Sequence, residues 1–197
     1  MERIDKIVDY ASLLFADRFE ESCRHIQVDL EQHGTQFADE TAAVFEELFE
    51  SVVCLQSEEK KDAVEFLSIS ILASSILTGS YQAKLDIYDS RFLLDEYPVS
   101  AHWDLSRIYC WLEKDMKFFQ NELKKQFPRL RAYELEKVRY RYTTYYDSLV
   151  QQLCSDIIED IMNLPGFQTM QKEPKFSVTA GGYLDEGQLI WPQEVDE

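Results

Sequence analysis

Glycine and proline are scarce in this chain, six and five residues among 197. So few breakers argue against a turn-rich β fold and favour helices. Cysteine is thinly spread as well. Cys23, Cys54, Cys110 and Cys154 form no Cys-x-x-Cys pair. Each falls in a predicted helix and reads as a reduced, buried small hydrophobe of a cytoplasmic protein. Met1-Glu-Arg-Ile-Asp-Lys6 has no signal-peptide layout. The longest apolar run, Phe66 to Leu77, is interrupted by four serines. It is too short and too polar for a membrane span, so no membrane is expected and a buried central helix is.

Motifs that carry chemistry are missing too. There is no Gly-x-Ser-x-Gly, and Gly181-Gly182 reads as a turn and not a phosphate loop. Paired carboxylates such as Asp86, Asp89, Asp95 and Glu96 say little in a chain with 37 acids. Histidine occurs three times. His25, Asp29 and His33 follow at i, i+4 and i+8, but the two histidines then lie about 12 Å apart along a helix. His102 would have to reach in from another element, so no metal is assigned. The repeated Glu-x-x-His of a di-iron bundle does not occur. No cofactor is expected, and the pattern favours a binding protein over an enzyme.

What the chain does have is acid and aromatic surface. The net charge is −17, and 12 Phe, 11 Tyr and 3 Trp argue against disorder. The acidity disfavours nucleic acid or an anionic membrane as a partner for the whole surface, and suits a basic protein partner.

Periodicity predicts an all-α protein, a multi-helix bundle of at least five helices. They are placed near 4–33, 37–55, 58–78, 101–127 and 130–163. Gly34 would end the first and Ser57 would cap the third. Residues 81–92 suit a further short helix. The domain expectation is a bundle over 1–164 and a docked tail over 165–197. That tail is irregular or a small hairpin, because Phe176-Ser-Val-Thr-Ala180 alternates and glycines follow.

The long helix over 129–164 organises the functional reading. Its apolar stripe runs from Leu135 through Tyr142, Tyr145 and Tyr146 to Ile161. Thr143-Thr144 is where back-bonding could bend it. Between Lys124 and Arg141, seven cations face two carboxylates, a net +5 that leaves −22 for the rest. Tyr133, Lys137, Tyr140 and Arg141 fall on one strip opposite the stripe. That strip is either an internal helix contact or a partner-binding surface rich in the residues of binding hot spots. Arg131 and Arg139 fall on or beside the stripe. Each should meet a carboxylate, or both should grip a small anion.

The leading expectation is an acidic cytoplasmic protein-interaction module, a regulator, adaptor or neutralising partner. The alternatives are a ligand-sensing domain holding an anion through Arg131 and Arg139, or a nucleic-acid contact through 124–141.

Overall fold

In the computed structural model, which describes residues 2–182 and 187–192, the stretch expected to be the third helix is a strand. In β1 (Val64–Ile71), Leu67, Ile69 and Ile71 alternate with Ser68 and Ser70. That period of two sends the two sets to opposite faces. The same alternation shapes β2 (Gln82–Asp89) and β3 (Val99–Asp104). In β2, Ala83, Leu85 and Ile87 face one way, and Lys84, Asp86 and Tyr88 the other. With β4 (Lys172–Gly182) and β5 (Gln188–Trp191), these strands form one sheet in the order β3-β2-β1-β4-β5. β1 pairs antiparallel with β2 and parallel with β4, so the sheet is mixed.

The all-α expectation is therefore incorrect. The protein is mixed α/β, 64% helical and 20% strand. The tail is no small hairpin either, because β4 is an internal strand between β1 and β5. The parts of the expected tail over 183–186 and the last five residues lie outside the described residues.

Helices account for the rest: α1 (Arg3–Ser12), α2 (Phe15–Ser57), α3 (Ala73–Thr78), α4 (Ser106–Gln126), α5 (Ala132–Met162) and α6 (Pro165–Thr169). The expected first two helices differ from the structure. The break comes at Leu13-Leu14, and α2 then runs 43 residues straight through Gly34. A glycine weakens a helix without ending it. Ser57 closes α2, its hydroxyl donating to the Cys54 carbonyl at 2.7 Å. The helix expected from 101 starts at Ser106, because the residues up to Asp104 belong to β3.

The chain divides into two compact units that interleave in sequence. One comprises the chain up to Gly34 with Ser106–Leu149, and the other comprises Thr35–Leu105 and the chain from Val150 onward. The first is built of helices alone. Phe15, Phe119 and Tyr142 cluster there, with ring centroids 4.6–5.2 Å apart and Phe119 edge to face with both others.

The second unit packs helices on the apolar sheet face. Phe37 and Phe45 of α2 flank Trp103, whose indole N–H donates to Thr41 at 3.0 Å. Phe49, Phe167 and Phe176 continue this core. The opposite sheet face is polar, carrying Ser68, Ser70, Lys84, Asp86, Ser100, His102 and Thr179 by register.

Two glycines make opposite predictions. A side chain at Gly166 would put its Cβ 2.9 Å from the Phe49 Cβ, and the Gly166 N–H donates to the Glu46 carboxylate at 2.9 Å. Gly166→Val should lower unfolding free energy by about 1–3 kcal/mol through overpacking. Nothing lies within 4 Å of a Cβ at Gly34. Gly34→Ala, inside α2, should raise stability by about 0.5–1 kcal/mol. Urea denaturation of both variants reads the two signs.

Candidate functional site

α5 begins where Arg131 caps it. The Glu134 carboxylate reaches back to accept the Arg131 N–H at 2.8 Å. That satisfies one of the donors a helix start leaves open. The same carboxylate accepts from Arg3 of α1 at 2.7 Å, and Arg3 also donates to the Pro128 carbonyl at 3.0 Å. The Arg3 hydrogen bond is the main cause holding the Glu134 carboxyl below its ordinary range, with the Arg131 N–H adding to it.

From this anchored start, α5 buries a row at every fourth residue, Val138, Tyr142, Tyr146, Val150, Cys154, Ile158 and Met162, with Thr143 and Ile161 buried beside it. Leu135, Tyr145, Leu149 and Leu153 are only half-buried. The buried row is thus narrower than the broad stripe that periodicity suggests. Thr143 and Thr144 do bond back to carbonyls of the preceding turn, at 2.8 Å each.

Two of the inward tyrosines end on a buried carboxylate. Asp115 of α4 is fully buried. It accepts from Tyr142 at 2.7 Å, Tyr146 at 2.6 Å, Ser22 at 2.8 Å and the Arg18 Nε at 2.5 Å. A buried charge is tolerated only when paired and hydrogen-bonded in this way. Burial first, and then donation to the Asp115 carboxylate, push both tyrosine hydroxyls far above their ordinary value. Sequence reasoning missed this centre. Asp115 lies three residues after Leu112 and four before Phe119. Its helical phase is therefore apolar, and a carboxylate at such a phase was the available signal.

The outward face carries the strip. Tyr133, Lys137, Tyr140 and Arg141 are all exposed, Tyr133 at 49% and Tyr140 at 75%. Their i, i+4, i+7 and i+8 spacing keeps them on one side of α5. The Arg131 guanidinium lies 6.0 Å from the Tyr133 ring centre. Arg139 has a different partner, a two-point ion pair with Glu113 of α4 at 2.5 and 3.0 Å. Arg131 and Arg139 thus have separate partners.

The remaining candidates have structural roles. The His25 ring stacks on Trp111 at 4.4 Å, and Lys114 covers that indole at 3.1 Å. Phe118 lies under Arg18 at 5.1 Å. Asp29 pairs with Arg107 at 3.5 Å. Among the described residues, no group of three or more His, Cys, Asp or Glu is placed to hold a metal ion. All four cysteines are free thiols. Only Cys154 is buried, and burial pushes its thiol up to about 12. Cys54 and Cys110 are exposed, unlike the expectation for them.

No protein-family model, no curated protein and no solved structure matches the chain.

The Asp115 centre predicts sensitivity to alkali. In the unfolded chain Tyr142 and Tyr146 ionise near the ordinary value of 10.0, whereas both stay protonated when folded. Above about pH 10 the unfolded state holds fewer protons, so stability should be intact below that pH and fall as pH rises past it. Urea midpoints between pH 8 and about pH 11.5 measure the slope. The double variant Tyr142→Phe with Tyr146→Phe should flatten it. Asp115→Ala, which takes the shared acceptor from Arg18, Ser22, Tyr142 and Tyr146, should cost about 3–5 kcal/mol.

Proposed function

We propose that the protein is a cytoplasmic protein-interaction module, a regulator, adaptor or neutralising partner, that binds another protein through Tyr133, Lys137, Tyr140 and Arg141. The supporting observation is the exposure of both tyrosines on the face of α5 turned away from the Asp115 centre. Tyrosine offers large contact area with few rotatable bonds, and its phenol gives a polar handle at the rim. Lys137 and Arg141 beside it suit an acidic patch on the partner.

In a chain of net charge −17 such a strip is electrostatically set apart. The cytoplasmic assignment draws on the four free thiols, which fit a reducing compartment. Among the described residues, no helix is long and apolar enough to cross a membrane. The reading of Arg131 and Arg139 as an anion clamp has less in its favour, because Arg139 is already engaged by Glu113.

Affinity capture with the intact protein from its own cells tests the proposal. The wild type should retain a protein partner that both Lys137→Glu/Arg141→Glu and Tyr133→Ala/Tyr140→Ala lose. Melting of the charge-reversed variant should stay within about 0.5 kcal/mol of wild type, as for exposed substitutions. Capture that survives both pairs of substitutions refutes the strip. Binding to duplex DNA that weakens steeply with salt, with no protein retained, would replace this reading with nucleic-acid contact.

A further inference from the structure

The polar sheet face of the second unit holds a groove of about 390 Å³. That volume is in the range of small-molecule sites. Its floor is set by register. Thr179, Ser68 and Asp86 stand side by side on β4, β1 and β2 and line it, with Ser100 of β3 next to Asp86 beyond the lining. The next row adds Gly181 and Ser70 to the lining, with Lys84 beside Ser70 outside it. Ser68 and Ser70 hydroxyls lie 3.2 Å apart. Asp86 is 2% exposed and accepts from Ser100 at 2.5 Å and Lys84 at 2.8 Å. These two partners are what make a carboxylate so close to full burial tolerable.

The wall is aromatic and firmly held. Phe92 meets Tyr88 and Phe66 edge to face, at 5.1 and 5.3 Å, yet remains 43% exposed toward solvent. Its backbone has φ +53°, a left-handed conformation that a bulky side chain adopts only under constraint.

The constraint is visible. Asp95 accepts from the buried Lys61 at 2.5 Å and from the N–H groups of Asp89 and Tyr97 at 2.9 and 2.8 Å. Asp89 in turn accepts from the Arg91 guanidinium at 2.6 Å. Several charge-assisted bonds thus fix the β2–β3 loop that places Phe92 and Leu93 over the floor.

A hydroxyl and carboxylate floor facing a rigid aromatic wall suits one kind of small molecule. It presents hydroxyls along its edge and C–H bonds on its face. An anion would meet Asp86, whose charge Lys84 only balances, in a protein of net charge −17. We propose that this groove binds an uncharged pyranose sugar, with its hydroxyls on Ser68, Ser70, Thr179 and Asp86 and its ring face against Phe92. The proposal stands apart from the strip on α5 and needs nothing from it.

Titration calorimetry of the full chain with D-glucose, D-galactose and D-mannose, each in the millimolar range, tests it. At least one hexose should bind the wild type. Asp86→Asn, Thr179→Val and Phe92→Ala should each weaken that binding on the order of tenfold, the worth of one hydrogen bond or one stacked face. Thr179→Val is nearly isosteric and half-buried, so it keeps the test open if Asp86→Asn fails to fold. No heat with any of the three sugars overturns the proposal. So does binding that all three substitutions leave unchanged, and so does binding of inorganic phosphate or adenosine in place of the hexoses.

Discussion

The carboxylate of Asp115 is fully buried, and the helical unit is arranged to surround it with donors. Three hydroxyls and a guanidinium converge on its two oxygens, from α2 and α5. Their directions fix the rotation of α5 about its own axis. With Tyr142 and Tyr146 held inward, Tyr133 and Tyr140 must face outward, because 100° per residue leaves them nowhere else. The exposed strip is therefore a consequence of a buried polar centre. Removing one partner would leave charge without solvent, which is why such a centre holds one arrangement against its alternatives.

The second unit obeys a different constraint. Its strands bury one face against aromatic residues of α2 and leave the other polar. Period two makes that division absolute, since a register slip of one residue would bring Ser68, Ser70 and Asp86 into the core. Register thus determines which side chains can meet a ligand at all. The Asp95 pin then adds the wall. Neither feature depends on a loop finding its conformation when something binds, which lowers the cost of binding.

Much of α5 was legible in the sequence. The phase of Tyr133, Lys137, Tyr140 and Arg141 is a local property, and their shared face follows from spacing alone. The sheet was misread although its signal was present. Leu67-Ser-Ile-Ser-Ile71 alternates strictly, but a short run of serine and isoleucine also passes for a buried helix turn. The scarcity of glycine and proline strengthened that error, because the strands turn with few breakers. Asp115 was overlooked for another reason: an acid at an apolar phase is ambiguous among 37 acids until its partners are known.

Local sequence by itself determined where α5 and most of α4 run, the phase of their faces and the concentration of cations between Lys124 and Arg141. These depend on residues a few positions apart, so spacing specifies them. Tertiary structure alone decided that Asp115 is enclosed, that Arg139 is taken by Glu113, and that β4 lies parallel beside β1. Each of these joins residues distant in sequence. Such pairings are chosen by the burial and charge compensation of the whole fold, which no window of neighbouring residues contains.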